Sequence, residues 1–301
     1  MTSADDVARA ILQILLPHRR HLPHEPRATP DDLQPQLRRL TRTVRSGRPV
    51  HFTLPGFPCK SPNPAKVLGS LPDEGERLAL HFLDRLCRDV ELVHPPGARL
   101  TVCSDGHVFS DAIRVSDNTI RAYRRRLDSM IAGTSDLIDT FDLADAGFAG
   151  LASRREKLLS ERAPHVEQLR AHVRSDETAA QHYRGITRFL VEDTPRHDGT
   201  KSALQRDCRR RAYDVIRRSI AWGSLVDETF PDAVRLSIHP QPIGSAKLGI
   251  RLLDSPDAWA TPWHTCVLRG PDGTRLLPHH EARRHGRLVR RDGVPSHFVA
   301  R

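Results

Sequence analysis

Four prolines, Pro55, Pro58, Pro62 and Pro64, punctuate the segment LPGFPCKSPNPAKVLGSL at residues 54–71. Each fixes φ and removes a backbone donor, so neither a regular helix nor an internal strand can run through it. Gly56 and Gly69 add backbone freedom near its two ends. The segment reads as a stiff loop feeding a helix, and it carries Cys59, Lys60, Ser61, Asn63 and Lys66. A loop stiffened in this way and loaded with lysines and a hydroxyl presents them to a ligand. The bland alternative is a tight surface connection with solvated lysines.

The pattern around the loop alternates. Val7, Ala8, Ile11, Leu12, Leu15 and Leu16 recur at helical spacing, with Ser3 as cap and Pro17 as stop. Residues 17–51, rich in Pro, Arg and His, predict a weakly structured lead-in with one short helix near 35–45. Residues 71–90 predict a helix, 98–104 a strand followed by an Asp105-Gly106 turn, 117–131 a helix and 137–141 a short strand. Helical, charged sequence broken near Pro164 fills 151–192, and a long helix covers 202–227. Strands follow at 233–238, 247–252, 265–269 and onward to Val299. These elements predict an α/β fold: a mixed β-sheet with flanking helices, Rossmann-like, a single domain over 52–301 preceded by a helical and irregular lead-in over 1–51.

Charge and composition narrow the partners. The chain has 47 Lys and Arg against 37 Asp and Glu among 301 residues, a net charge of +10 that favours anions. Aromatic residues make up only 5%, poor for base stacking, and no nucleic-acid-binding signature is present, so nucleic acid is not expected. Apolar content of 38% and a mean hydropathy of −0.49, with no long apolar run, predict no membrane span. The N-terminus opens on acids with no leader pattern. Five cysteines without CxxC or zinc spacing suit a reducing cytoplasm and no metal. No GxGxxG or GxxxxGK[ST] occurs, so no nucleotide cofactor is expected.

Further blocks stand in order along the chain: SDGHVFSDA at 104–112, RRRAYDVIRRSIAWG at 209–223, RLSIHPQPIGSAKLGIRL at 235–252 and TPWH at 261–264. Together with FPCKSPNP and its continuation, this set resembles the pyoverdine/dityrosine biosynthesis family, the isonitrile (isocyanide) synthases. The likeness runs from about Phe52 to the SHF at 296–298. One departure is His107, where the family's SDG is often followed by Arg.

The resemblance implies a cytoplasmic enzyme of secondary metabolism that turns the amine of an L-amino acid, L-tyrosine or L-tryptophan, into an isonitrile. The carbon comes from C2 of ribulose 5-phosphate. The amine attacks the C2 ketone, an imine forms, phosphate leaves, and the sugar fragments, a lyase-type outcome. No cofactor is implied. The implied partners are the two small-molecule substrates; a downstream oxygenase and a homo-oligomer are admitted by the same reading. Three sites are required: a cationic phosphate pocket, a carboxylate anchor and an acid/base pair.

For phosphate, Lys60, Ser61, Asn63 and Lys66 come first, then Lys201 and Ser202, which open a long helix whose free N–H groups suit an anion. Arg210 and Arg217 share one face of that helix with Asp214, which could instead pair with them. For proton transfer, His239 before Pro240 and His264 after Trp263 stand at strand ends, with Asp105 and Asp111 as candidate carboxylates. Arg235 and Lys247, on adjacent strand-like segments, suit a carboxylate, the alternative for Arg235 being an internal salt bridge with Asp232. Cys59 reads as a packed thiol. Trp222, Trp259 and Trp263 line a pocket or fill the core. Two other readings remain: a sugar-phosphate aldolase using Lys60 or Lys66 as a Schiff base, and a basic anion-binding protein without activity.

Overall fold

Side-chain caps start several helices in a computed structural model that describes residues 2–22, 25–147, 150–255, 257 and 259–301. Ser3 accepts the Asp6 N–H at the start of α1 (Ala4–Leu15), and α2 is Gln34–Arg45. Asp73 and Glu76 form a reciprocal capping box on α3 (Glu74–Glu91). Asp105 precedes α4 (Gly106–Ile113), and Ser116 caps α5 (Asp117–Ala132). Then come α6 (Leu151–Arg162), α7 (Val166–Ser175), α8 (Glu177–Asp193), α9 (Lys201–Thr229) and, near the C-terminus, α10 (His279–His285). Asp105-Gly106 thus opens a helix, correcting the expected turn.

The strands form two sheets. In the first, β1 (Val50–Pro55), β2 (Ala98–Ser104), β3 (Ile138–Asp142), β4 (Val234–Ser237) and β5 (Lys247–Gly249) are ordered β3-β2-β1-β4-β5, every pair parallel. In the second, β6 (Cys266–Gly270), β7 (Gly273–Leu277), β8 (Gly286–Arg291) and β9 (Val294–Ala300) are ordered β7-β6-β9-β8 with mixed directions. The α/β, Rossmann-like expectation is present in finer form: one sheet is wholly parallel and the C-terminal strands build their own. Strand order reverses between β1 and β4, and in such sheets ligands bind outside the carboxyl ends at that point.

The lead-in is not an appendage. Ala8, Ile11, Leu12 and Leu15 of α1 are fully buried in the main core with Leu37 and Leu40 of α2, and the expected boundary at 51/52 falls inside β1. The four apolar positions of α1 and the two of α2 repeat at helical spacing and need a partner surface, which overrides the polar sequence between them. The proline loop is likewise interior: Phe57, Cys59, Lys60, Ser61 and Val67 are all buried, which removes the surface-connection reading. All five cysteines are buried and unpaired, and burial raises the thiol pKa of Cys59, Cys87, Cys103 and Cys266. Among the described residues no helix is long and apolar enough to cross a membrane.

Side chains alternate across the parallel sheet, and its two faces differ. Phe52, Leu54, Leu100, Val102, Val234, Leu236 and Leu248 point into the main core. The opposite face is apolar only under α9, where Cys103 meets Ala221, Trp222 and Val226. The rest presents Thr53, Arg235, Ser237 and Lys247. Parallel sheets are usually apolar on both sides, so this polar half-face, at the order reversal, is the place to look for chemistry.

Candidate active site

The carboxyl ends of β1 and β2 interlock. Pro55 ends β1, Phe57 takes a positive φ of 54°, and the Ser104 hydroxyl donates to the Phe57 carbonyl at 2.8 Å. Gly106 lies so close that a Cβ there would overlap the Pro58 carbonyl oxygen. A left-handed phenylalanine is a strained conformation, held by its fully buried ring and this hydrogen bond.

Beyond this turn Lys60 enters the interior. Its ammonium meets Asp73 Oδ2 at 2.9 Å and Glu76 Oε2 at 2.7 Å, and donates to the Pro262 carbonyl at 3.0 Å. An ammonium has three N–H donors, and all are used. Burial opposes the charge, but Asp73 and Glu76 outweigh it and raise the lysine pKa. Burial, with Glu76 adding and Lys60 opposing, pushes Asp73 up to about 7. Lys60 is therefore an internal tie, correcting its expected roles in phosphate binding and catalysis.

The next residues clamp α8. Ser61 Oγ donates to Asp193 Oδ1 at 2.9 Å, and Lys66 Nζ donates to the same oxygen at 2.6 Å. Asn63 donates to the Glu192 carbonyl at 2.6 Å and accepts from the Ala65 N–H at 2.9 Å. Ser61 and Asn63 are occupied in holding the loop, and Lys66 is paired with Asp193 while facing the Phe189 ring at 5.2 Å. Asp193 Oδ2 also lies 3.6 Å from His264 Nε2, and the other ring nitrogen, Nδ1, is 2.8 Å from the Thr261 hydroxyl.

Two histidines face a common space. Burial, tempered by Asp193 and reinforced by Lys66 and Lys60, holds His264 at about 4. The His264 ring is 20% exposed, so solvent moderates that depression. His239 follows β4, where Gly249 permits its carbonyl to approach β5; a Cβ there would stand 2.7 Å from that oxygen. Burial, and then His182, Arg20, His264 and Lys247, push His239 down to about 3. His182 and His239 are both solvent-accessible, so the chamber they line is open to solvent. Trp259 stands 5.7 Å from His239 and is 48% exposed, at the rim. Lys247 is lowered by burial and by Arg235. At the end of β2, separated from β4 by β1, burial lifts Asp105 to about 7, and its Oδ1 finds no hydrogen-bond partner among the described residues. Neutral imidazoles beside cations, with a carboxyl that titrates near neutrality, can bind anions and move protons.

Several expected residues lie elsewhere. Asp111 forms a two-toothed pair with Arg218 at 2.6 and 2.9 Å. Arg210 pairs with Asp207, and Arg217 donates to the Pro164 carbonyl at 2.7 Å, not to Asp214, which pairs with Arg218. Lys201 and Ser202 are exposed at the start of α9, where Thr200 supplies the cap. Arg235 pairs with Asp227 and the Gly223 carbonyl, not Asp232. These ties correct the expected substrate roles of Asp111, Arg210, Arg217 and Arg235, and leave Lys201 and Ser202 without a contact to the chamber. Trp222 and Trp263 are core residues. His107 is buried against Asp142 at 3.3 Å, so its departure from the family pattern falls on packing. A cleft of about 530 Å³ opens at the opposite, amino end of the sheet around His51, Arg99 and Asp139. Its size does not make it the site, because the strained turn, the orphaned carboxyl and the imidazole cluster all stand at the carboxyl end.

His182 and Asp193 escaped the sequence reading. Both sit on α8, where His182, Ile186, Phe189 and Asp193 share one face at i, i+4, i+7 and i+11. Polar residues at both ends of an apolar stripe were the available signal. Among the described residues, no group of three or more His, Cys, Asp or Glu could hold a metal ion.

Comparison with known proteins identifies the family. The family model described as pyoverdine/dityrosine biosynthesis protein matches residues 40–289. An L-tyrosine isonitrile synthase of Pseudomonas aeruginosa is 43% identical, covering 97% of this chain and 93% of that protein. One of Xenorhabdus nematophila is 41% identical over 98% of this chain and 92% of its own length. An L-tryptophan isonitrile synthase of Fischerella ambigua is 37% identical over 99% and 93%. The crystal structure of the PvcA protein from Pseudomonas aeruginosa superposes with a TM-score of 0.90 at 41% identity, covering 97% of this chain and 99% of that one.

Proposed function

This chain belongs to the pyoverdine/dityrosine biosynthesis family, and from that premise we propose that it is an isonitrile synthase acting on an L-amino acid, L-tyrosine first and L-tryptophan second. One observation carries the reading: neutral imidazoles and an orphaned carboxyl both stand beyond the carboxyl ends of the parallel sheet, in a chain 41–43% identical to L-tyrosine isonitrile synthases. The carbon donor in this reading is C2 of ribulose 5-phosphate. The positive chamber suits the sugar's phosphate and the amino acid's carboxylate. His239 and His264, neutral at physiological pH, are proton acceptors. Asp105, titrating near 7, both gives and takes a proton as the imine forms and rearranges. The protein works in the cytoplasm as one catalytic domain that includes the N-terminal helices. An aldolase reading loses support, because a Schiff-base lysine must be neutral and free. Lys60 is held charged by two carboxylates, and Lys66 is paired with Asp193.

The test is product formation. Purified protein is incubated with L-tyrosine, L-tryptophan and a wider amino-acid panel, plus ribulose 5-phosphate labelled at C2. Mass spectrometry should find the label in an isonitrile. If no amino acid yields a labelled product, the reading fails. Borohydride trapping of the sugar on the protein without amino acid would favour the aldolase instead.

A further inference from the structure

We propose that Trp259 governs the choice of amino acid, its indole forming the outer wall on which an aromatic side chain stacks; this rests on the amino-acid reading above. Among the described residues Trp259 is the aromatic side chain that stands exposed, at 48%, whereas Trp222 and Trp263 are each 1% exposed in the core. Its indole sits against the site. The ring centroids of Trp259 and His239 are 5.7 Å apart at an interplanar angle of 42°. Aromatic pairs in contact have centroids roughly 4.5–7 Å apart, so the two rings form one wall, with the indole as its more exposed half.

The backbone that carries this indole is tied down on both sides. Asp257 Oδ1 accepts the Trp259 N–H at 2.9 Å, and the Asp257 carbonyl accepts the Ala260 N–H at 3.1 Å. Arg20, a buried residue of the lead-in, donates to the Ala260 carbonyl at 2.7 Å and to the carbonyl of Ile250, just past β5, at 3.2 Å. Ser255 Oγ donates to the Leu276 carbonyl of β7 at 3.1 Å and accepts the Asp257 N–H at 3.1 Å. Trp259 is thus fixed from the N-terminal segment and from the second sheet while about half of its side chain stays in water. Covering that apolar face with a ligand removes it from water at little ordering cost, because the residue is already held.

Of the two substrates in this reading, the amino acid is the one that brings a flat ring. In ribulose 5-phosphate the C5 oxygen is esterified, so the C2 ketone cannot close a furanose ring through it. The sugar stays open-chain and anionic, with no ring face to lay on an indole. L-tyrosine and L-tryptophan both present such a face, and stacking on a fixed aromatic contributes beyond the area it covers. Trp259 therefore reads the side chain of the amino acid, while His239 beside it serves proton transfer.

Steady-state kinetics and fluorescence quenching of the full chain test the assignment. Trp259→Ala should raise KM for L-tyrosine about tenfold or more, with kcat and the KM for ribulose 5-phosphate changed less than about threefold. Trp259→Phe keeps a ring and should recover most of the loss. Quenching needs no turnover. Acrylamide reaches the exposed Trp259 ahead of the two buried tryptophans. With excitation where tyrosine does not absorb, L-tyrosine should shield the wild-type protein from the quencher, and L-alanine and inorganic phosphate should not. An unchanged KM for L-tyrosine in Trp259→Ala, or quenching that L-tyrosine leaves unaltered, overturns the wall. Shielding by L-alanine equal to that by L-tyrosine overturns it as well, because the indole would then be reading the shared ammonium and not the ring. If L-tyrosine shields Trp259 but no isonitrile forms, the wall stands and the isonitrile reading falls.

Discussion

Lys60 shows how far one residue's surroundings can reverse its reading. In the sequence it is a loop lysine next to a serine; in the fold it neutralises two buried carboxylates. Lys60→Ala leaves Asp73 and Glu76 facing each other without a counter-charge. Breaking such a buried cluster costs about 3–5 kcal/mol, so urea unfolding should show a large loss of stability. An unchanged midpoint would return Lys60 to the ligand-binding set. Asp105 makes the opposite case. Its folded pKa of about 7 lies above the ordinary 3.8, so the folded state holds its proton more tightly. That contribution to stability is fully present below about pH 4 and is lost as pH rises through about 7. Asp105→Asn removes the dependence. The variant should gain on wild type as pH rises from 4 to 8, by about 4 kcal/mol at most, while turnover falls sharply. Parallel unfolding curves at both pH values would show that Asp105 is an ordinary surface carboxylate.

Elements were the most legible level of the sequence. The strand expected at 98–104 is β2 to the residue, and the helix at 117–131 is α5 with Ser116 as its cap. Periodicity and capping are local, so a single sequence carries them. Register and partnership are not local. Nothing in VHFTLP says that β4 returns beside β1, or that the C-terminal strands leave to build a second sheet. The site divided in the same way. His239, His264, Asp105 and Lys247 were singled out because they stand at strand ends or in adjoining strands. Asp111, Arg210, Arg217 and Arg235 were misassigned because their partners, Arg218, Asp207, the Pro164 carbonyl and Asp227, are set by tertiary packing. The role of α8 was invisible until Asp193 met the proline loop. Asp193→Asn weakens the charge-assisted contacts from Lys66 and Ser61. Hydrogen exchange across 177–193 should quicken, and kcat/KM should fall about ten- to a hundredfold, since such contacts contribute roughly 1.5–3 kcal/mol. Unaltered exchange there would mean that α8 is held by its packing on α9 alone.

At the scale of the whole molecule, the N-terminal helices, both sheets and the proline loop share responsibility for one chamber. The polar stretch over 17–51 looked peripheral because composition averages over a segment, whereas Leu37 and Leu40 decide where the segment goes. The five cysteines draw out a different consequence of the same packing. Each sits in a different stretch of the chain, at positions 59, 87, 103, 208 and 266, and none is exposed. With burial keeping four of these thiols protonated, the native protein should ignore alkylating reagents that label every thiol in urea. The order in which they become labelled under mild denaturant would then act as a built-in clock of breathing. If α8 and the loop it clamps open first, Cys59 in that loop should lead Cys87 on α3. Simultaneous labelling of all five would mean that the chain opens only as a whole, and that substrates enter a chamber that never needs to unfold to admit them.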